Sequence, residues 1–278
     1  MSVYLLPFEK MHGLGNDFIF LERRHMPNGC DDVKLAKLLC NRHTGIGADG
    51  LIVVDFPSTT DADFKWDYYN NDGSIAEMCG NGMRCFAKYV YERGLTDQAD
   101  FKVLTKAGII KPSIQSDGSI TVNMGSPKLP SSNYQDISAN GKNFTFTYVE
   151  TGNPHCVIFN HNEISDVEFA EYGPLIERHK FFPHGVNVEF ANVLNRNEIN
   201  LRVWERGCGP TLACGTGACA TLVAAALNNL TEDEATLKLP GGNLKIKWDK
   251  INNLVYKNGP ATFVYAGQFN LNPGDVCR

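Results

Sequence analysis

The feature that most constrains this chain is a short repeat, Cys-Gly-x-Gly, which occurs twice and each time precedes a stretch with helical character. Cys79 opens Cys-Gly-Asn-Gly and Cys214 opens Cys-Gly-Thr-Gly, 135 positions apart in a chain of 278 residues. The start of a helix offers backbone N–H groups and a positive dipole end, which bind anions and favour thiolate over thiol. The two cysteines therefore predict a matched pair of proton-transfer groups for one small anionic substrate.

Other landmarks recur at nearly the same offset. They pair as Asn16 with Asn153, Gly50 with Asn187, and Asn70 with Glu205. Solenoid repeats run at roughly 20–50 residues, so an offset of 135 to 137 indicates gene duplication and two similar domains. We expect one domain over residues 1–125, with 263–278 returning to it, and a second over 126–262. Unmatched side chains at matched positions suit an asymmetric substrate between the two domains.

Composition excludes several classes of protein. A net charge of −5 provides no basic face for a phosphate backbone, so we expect no nucleic-acid partner. The chain shows no secretory signal and no apolar run long enough to span a membrane, so we expect no membrane association. Nine cysteines, an odd number, then suggest reduced thiols and a cytoplasmic protein.

Apolar periodicity predicts three helices. One covers Val33 to Cys40, one runs from Cys79 through Tyr91, and one follows Cys214. The last is apolar nearly all round, which indicates burial on every side, as for a helix wrapped by strands. Among the predicted strands is one from Ile109 to Ile114, and residues 125–133 have the composition of a linker.

Two alternative sites have weaker support. Residues 45–50 match the dinucleotide pattern G-x-G-x-x-G, but the predicted helix precedes the pattern and the strand follows it, so a plain turn is favoured. No C-x2-C spacing supports zinc, although a thiol redox or zinc-binding protein remains the alternative from another class. Cys85 and Cys219 are interpreted as small buried hydrophobes, and Cys30, Cys40 and Cys277 as structural.

Four segments together resemble the diaminopimelate epimerase family. They are Met11 to Phe18, Cys79 to Gly82, Gly152 to His155, and Trp204 to Gly217. The resemblance implies an α/β (α+β) fold of two pseudo-symmetric domains, each a strand barrel around a central helix, with the active site in the cleft between them. It also implies a cofactor-independent isomerase, without pyridoxal, that interconverts LL- and meso-diaminopimelate in lysine biosynthesis, and a homodimer with Tyr265 at the interface.

The resemblance also implies roles for individual residues. The catalytic set is Cys79 and Cys214 as the two bases, assisted by His155 and Glu205. The substrate contacts are Asn16, Asn70, Gly80, Asn81, Asn153, Asn187, Glu205, Arg206, Gly215 and Thr216. Some relatives carry Gln at the position of Gly50, so the role of that position stays open.

Two further enzymes remain as alternatives. An amino-acid racemase of the same fold could act on another substrate, such as histidine, although Arg206 suits the second carboxylate of diaminopimelate. A pyridoxal enzyme would show visible absorbance from a lysine-linked cofactor.

Overall fold

The chain divides into two units in a computed structural model that describes residues 3–129, 132 and 134–277. The N-terminal unit comprises Met1–Val122 with Pro260–Arg278, and the C-terminal unit comprises Asn123–Gly259. Each unit is rich in strands and has few helices, so the predicted α/β class with two similar domains is confirmed.

Five α-helices and one short 3-10 helix, Arg23–His25, occur among the described residues. The α-helices are α1 (Asp32–Cys40), α2 (Gly80–Glu92), α3 (Asp166–Glu177), α4 (Gly215–Leu227) and α5 (Pro273–Val276). Side chains cap their first turns. The Asp31 carboxylate accepts from the backbone N–H of Val33 and Lys34, and the Ser165 hydroxyl accepts from that of Glu168.

Eighteen strands complete the described secondary structure. In the first half they are β1 (Tyr4–Gly13), β2 (Asn16–Glu22), β3 (Gly50–Asp55), β4 (Phe64–Asn70), β5 (Val103–Thr105), β6 (Gly108–Ile110), β7 (Pro112–Ile114) and β8 (Ile120–Asn123). In the second half they are β9 (Gln135–Ala139), β10 (Lys142–Glu150), β11 (Pro154–Asn160), β12 (Asn187–Asn195), β13 (Glu198–Glu205), β14 (Gly209–Thr211), β15 (Glu234–Leu239), β16 (Gly242–Asp249), β17 (Leu254–Gly259) and β18 (Thr262–Leu271).

The N-terminal unit packs α2 against its main sheet. The strand order is β18-β1-β2-β3-β4-β5-β6, so the last strand of the chain pairs with the first. Ten residues of α2 are buried, including Gly80, Asn81 and Gly82 of its first turn. A buried helix start places its N–H groups where water cannot compete for them.

The C-terminal unit surrounds α4 in the same way. Its strands follow the order β17-β16-β15-β13-β12-β11-β10-β9, with β14 on β13. Eleven of the thirteen residues of α4 are buried, and the helix contacts β10, β11, β12, β15, β16 and β17. Burial on every side, as its all-round apolar sequence predicts, is thus confirmed.

The internal repeat extends to the register of the strands. In the N-terminal unit β2 and β3 run parallel with Phe18 opposite Gly50. In the C-terminal unit β11 and β12 run parallel with His155 opposite Asn187. Both residues of each pair are separated by 137 positions from their counterparts, so the two units use the same pairing of strands.

Several local predictions differ from the structure. The strand predicted over Ile109 to Ile114 is two strands, β6 and β7, because the chain leaves the ladder at Lys111. The helix α3 was not predicted, since Pro174 interrupts its sequence. Part of the predicted linker, Pro130, Ser131 and Asn133, lies outside the described residues. Closure of either sheet into a barrel stays a prediction.

The expectation of nine reduced thiols is wrong for one pair. Cys30, just before α1, and Cys277, just after α5, form a disulfide that spans 247 residues of sequence. The two residues also face each other in a backbone bridge, which places their side chains side by side. The sequence separation hides a proximity that exists only because β18 returns to β1.

Candidate active site

Cys79 caps the start of α2 through its side chain. Its Sγ accepts from the backbone N–H of Gly82 at 3.5 Å and lies 3.6 Å from Asn16 Oδ1, to which the thiol donates. Asn81 Nδ2 donates to the same Asn16 oxygen at 3.3 Å. Cys79, Asn16 and Asn81, all three of them predicted site residues, therefore form one hydrogen-bonded group.

Asp49 fixes the orientation of that group. Its Oδ2 accepts from Asn16 Nδ2 at 2.8 Å and from the backbone N–H of Asp17 at 3.1 Å. Because the amide nitrogen of Asn16 is held by a carboxylate, its oxygen is the atom left for Cys79 and Asn81.

A fully buried arginine supports the first turn of α2. Arg84 Nη1 donates to Asn81 Oδ1 at 3.1 Å and lies 3.5 Å from the carbonyl oxygen of Gly80. Arg84 Nε donates to the carbonyl of Pro260 at 3.0 Å. Asn70 stands apart from this group: its Nδ2 donates to Ser74 Oγ at 2.9 Å, and among the described residues it makes no hydrogen bond to Cys79, Asn16 or Asn81.

The position of Gly50 leaves no room for a larger side chain, because the aromatic ring of Tyr68 covers it. A Cβ at this position would lie 2.5 Å from Cε2 of Tyr68 and 2.8 Å from the carbonyl oxygen of Tyr69. The Tyr68 hydroxyl would lie 3.2 Å from that Cβ. Burial, followed by the charge of Cys79, raises the pKa of Tyr68, so the phenol stays neutral and able to donate.

Cys214 caps α4 as Cys79 caps α2. Its Sγ accepts from the backbone N–H of Gly217 at 3.3 Å and lies 3.5 Å from Thr216 Oγ1. The carbonyl of Thr216 in turn accepts from the Thr151 hydroxyl at 2.9 Å. Gly215 is the first residue of the helix and is buried.

His155 lies between two oxygens in the wall of the C-terminal unit. Its Nδ1 is 2.6 Å from Glu189 Oε1 and its Nε2 is 2.8 Å from Asn153 Oδ1. His155 and Glu189 are both completely buried. Each ring nitrogen therefore has one side-chain oxygen within hydrogen-bonding distance.

Asn187 links the starts of two strands to the segment after β13. Its Nδ2 donates to the carbonyl of Pro154 at 2.9 Å, and its Oδ1 accepts from the backbone N–H of Arg206 at 2.9 Å. Glu205 ends β13, where its Oε1 accepts from the Thr211 hydroxyl at 2.7 Å. Arg206 Nη1 donates to the carbonyl of His184 at 3.3 Å.

The electrostatics of Cys214 differ from the sequence-based expectation. Burial raises the pKa of the Cys214 thiol well above its ordinary value, and the charges of Glu205 and Glu189 add to the rise. The hydrogen bonds from Thr216 and Gly217 lower this pKa but do not outweigh burial. The thiol form is therefore favoured at Cys214, although the helix start alone favours thiolate.

Comparison with known proteins identifies the family. The model of the family described as Diaminopimelate epimerase matches residues 8–130 and 147–264. A diaminopimelate epimerase of Synechococcus sp. (strain JA-3-3Ab) is 45% identical, over 94% of this chain and 97% of its own length. One from Heliobacterium modesticaldum is also 45% identical, over 96% of this chain and 100% of its own. The chain belongs to the diaminopimelate epimerase family.

Membership confirms the predicted family, and with it an isomerase, a diaminopimelate epimerase of lysine biosynthesis. A relative from Oryza sativa subsp. japonica, described as a chloroplastic diaminopimelate epimerase, is 43% identical over 94% of this chain and 79% of its own length.

Solved structures share the fold of this family member at low sequence identity. A Bacillus anthracis phenazine biosynthesis protein of the PhzF family superposes with a TM-score of 0.71 at 14% identity, over 98% of this chain and all of its own. A hydroxyproline epimerase from Agrobacterium vitis superposes with a TM-score of 0.69 at 14% identity, over 98% of this chain and 95% of its own. The fold of this chain is thus shared with a PhzF-family protein and with a hydroxyproline epimerase.

Four residues around the epimerase site were not predicted from sequence. They are Asp49, Tyr68, Arg84 and Glu189. Each acts on a predicted residue through a contact between neighbouring strands or within a helix. Glu189 alone had a usable signal, since it is a charged residue in the apolar strand β12.

Two negative findings complete the description of the epimerase. No group of three or more His, Cys, Asp or Glu side chains in the described part of the chain could hold a metal ion. No helix among residues 3–129, 132 and 134–277 is long and apolar enough to cross a membrane.

Proposed function

We propose that this diaminopimelate epimerase exchanges the α-proton of its substrate between Cys79 and Cys214. The observation that carries the proposal is the matched capping of two helices. Each thiol is the N-cap of a buried helix, and each sulfur accepts from the backbone N–H three residues later. Two acid–base groups of one kind suit a reaction that must run in both directions.

The proposed step breaks the Cα–H bond on one face as a thiolate takes the proton. A thiol on the other face then gives its proton to the carbanion, which forms a new Cα–H bond of opposite configuration. Only the state with one thiolate and one thiol is competent, so the two groups titrate as a pair. The high pKa of Cys214 supports its role as the proton donor in the free enzyme.

The helix starts are proposed to stabilise the charge that grows on the reacting carboxylate. The first N–H groups of an α-helix have no acceptor within the helix, so those of Gly80, Asn81, Gly215 and Thr216 are available to a ligand. One such preorganised donor is typically worth a factor of about 10²–10³ in rate.

The remaining predicted contacts are proposed to hold the substrate. Arg206 would bind the distant carboxylate as a two-pronged pair, and Glu205 would take the ammonium group. Asn16, Asn70, Asn153 and Asn187 would add neutral hydrogen bonds. His155 and Glu205 would assist the cysteines, as the family resemblance implies.

Isotope uptake tests the reaction directly. LL-diaminopimelate in heavy water, with purified protein and no added cofactor, should gain deuterium at one α-carbon as meso-diaminopimelate appears. Cys79→Ser and Cys214→Ser should each lower kcat by at least about 100-fold, because an alcohol is a far weaker acid than a thiol, while circular dichroism stays unchanged. Wild-type rates in either variant would refute the assigned roles.

A racemase with another substrate is the second candidate, supported by the fold shared with a hydroxyproline epimerase. Initial rates with LL-diaminopimelate, L-histidine and trans-4-hydroxy-L-proline separate the two. We expect measurable turnover with diaminopimelate alone.

We also propose a homodimer formed through β18. This strand lies at the end of its sheet, and Val264 and Tyr265 on it are 51% and 47% exposed. An exposed edge strand with large apolar side chains is a natural pairing surface.

Light scattering after gel filtration should give a dimer for the wild type and a shift toward monomer for Tyr265→Ala. Tyr134→Ala, at another exposed tyrosine, is the matched control; a dimer in all three would exclude this interface.

The division into domains at residues 125/126 and 262/263, the cleft between the domains and the cytoplasmic location remain predictions.

A further inference from the structure

The buried pair His155–Glu189 has an equivalent pair in the N-terminal unit, because the internal repeat relates the two halves of the chain. Glu189 on β12 is 137 positions after Ile52 on β3, and His155 on β11 is 137 positions after Phe18 on β2. The parallel ladders have the same register, with Phe20 opposite Ile52 and Val157 opposite Glu189.

The two equivalent side chains also contact equivalent helix starts. A Cβ on Gly82, in the first turn of α2, would lie 3.1 Å from Cδ1 of Ile52. A Cβ on Gly217, in the first turn of α4, would lie 2.7 Å from Oε1 of Glu189 and 3.2 Å from Cys214 Sγ. Glu189 therefore fills, beneath Cys214, the place that Ile52 fills in the N-terminal unit.

The chemistry at this place differs between the units. Phe18 and Ile52 are apolar and fully buried, so hydrophobic packing alone is sufficient for the fold. His155 and Glu189 are equally buried but polar, and Glu189 Oε2 has no hydrogen-bond partner among the described residues. A buried carboxylate oxygen without a hydrogen-bond partner destabilises the fold, so packing alone does not explain this pair.

The charge of Glu189 acts on groups from three other elements. They are His155 and Cys156 on β11, Glu205 on β13, and Cys214 at the start of α4. His155 stabilises the ionised form of Glu189 through its hydrogen bond. Glu205 adds a second negative charge that faces Cys214 from a different strand.

We propose that Glu189 is a positioning residue of the epimerase: it orients His155 through Nδ1, and it places a carboxylate beneath Cys214 at the start of α4. A negative charge at that place opposes formation of a thiolate at Cys214. This inference rests on the proposed proton exchange between the two cysteines. Burial raises the pKa of Glu189 itself, and His155 partly offsets the rise.

Alkylation of single cysteines tests the proposal without relying on turnover. Glu189→Gln keeps the size of the side chain and an oxygen for His155 Nδ1, but removes the charge. Modification by iodoacetamide, followed for each cysteine by peptide mass spectrometry between pH 7 and 11, should show the Cys214 midpoint about one unit lower than in the wild type. The exposed Cys208 in the same molecules is the internal control and should keep its midpoint.

The steady-state pH profile is the second measurement. In Glu189→Gln, the apparent pKa of the alkaline limb of the kcat/KM profile should be lower by the same number of pH units as the Cys214 midpoint. Loss of packing alone would lower kcat or stability and leave that apparent pKa unchanged. Glu22→Gln, which removes a carboxylate that accepts from Tyr89 in the other unit, is the matched control.

A second variant keeps the proposal testable if Glu189→Gln fails to fold. It carries the residue types found at the equivalent positions of the N-terminal unit. His155→Phe with Glu189→Ile installs the pair that packs around α2, so folding is expected. It too should lower the Cys214 midpoint, and kcat should fall by at least about tenfold because the oriented imidazole is gone. An unchanged Cys214 midpoint in either variant would overturn the role of Glu189, whereas the proposed proton exchange is judged separately by Cys214→Ser.

Discussion

At the scale of single residues, Asp49 decides which atom of Asn16 faces the thiol of Cys79. A side-chain amide can reverse its two ends at little cost unless a neighbour distinguishes them. The Asp49 carboxylate does so, because it can accept only from the nitrogen of Asn16. The amide oxygen is thereby presented to Cys79 and Asn81.

Replacing Asp49 should therefore impair the epimerase without a direct loss of any proposed substrate contact. We expect Asp49→Ala to lower kcat/KM about tenfold, equivalent to roughly one hydrogen bond of about 1–1.5 kcal/mol. Asp117→Ala, at an exposed turn carboxylate that accepts from Ser119, is the control. Kinetics with LL-diaminopimelate make the measurement, and a wild-type kcat/KM for Asp49→Ala would contradict the orienting role.

The residues of the site were partly accessible from sequence, for a physical reason. Cys79, Cys214 and Asn16 stand in turns and helix starts, where local glycine and asparagine patterns mark backbone geometry. Asp49 and Glu189 act across neighbouring strands, and no local pattern reveals which strands pair. Arg84 resembles any helical arginine in sequence, yet it is completely buried.

At the scale of secondary-structure elements, Asp17 fastens the start of β2 to the segment after α1 and to β1. Its carboxylate binds Arg42 at 2.8 Å and Lys10 at 2.8 Å. Burial raises the pKa of Asp17, but hydrogen bonds from Arg42 and Lys10 outweigh it and lower the pKa to about 2. The ionised carboxylate is thus favoured by folding.

The lowered pKa predicts the sign of a pH effect. Because the folded pKa of Asp17 lies below the unfolded value of about 4, its contribution is complete above pH 4 and is lost as pH falls toward 2. After allowance for solvent screening, the contribution is about 1–2 kcal/mol. Urea unfolding at pH 5, 4 and 3 should show the difference between wild type and Asp17→Asn shrinking as pH falls. Arg42→Ala should reproduce part of the loss; a constant difference across this range would disprove the linkage.

Helices capped by recognisable residues could be predicted closely, whereas helix α3 and strands β6 and β7 could not. Asp31 and the cysteine caps mark α1, α2 and α4 in the sequence itself. Helix α3 does carry the Ser165–Glu168 cap, but Pro174 breaks the pattern of its last turns. The short strands β6 and β7 read as one apolar run because periodicity does not record a change of partner.

At the scale of the whole molecule, the duplication is expressed in strand register and helix capping more than in sequence. Phe18 in one unit is equivalent by strand register to His155 in the other, and Ile52 is equivalent to Glu189. The side chains of each pair differ in chemistry, yet they occupy equivalent positions in the fold. Offsets in the sequence therefore predict the architecture well. They predict function only where the two halves were kept alike, as at the two cysteines.

The return of residues 263–278 to the N-terminal domain is expected from the sequence, but the pairing of Cys30 with Cys277 is not. Strand β18 returns to pair with β1, and α5 then packs on α1. The Cys30–Cys277 disulfide closes this return, and the backbone N–H of Asp31 donates to the carbonyl of Val276 at 2.7 Å beside it. The loop that it closes contains the entire C-terminal unit.

A covalent link across so long a loop should stabilise the protein mainly by restricting the unfolded chain. We expect Cys30→Ser, or reduction of the wild type by dithiothreitol, to lower the free energy of unfolding by about 2–4 kcal/mol. Cys208→Ser, at an exposed cysteine outside the disulfide, is the matched control. Epimerase activity at 25 °C should be retained in Cys30→Ser, because the bond lies outside the hydrogen-bonded groups of Cys79 and Cys214. Equal stability with and without reductant, together with two alkylatable thiols at positions 30 and 277, would show that backbone pairing alone holds the chain ends.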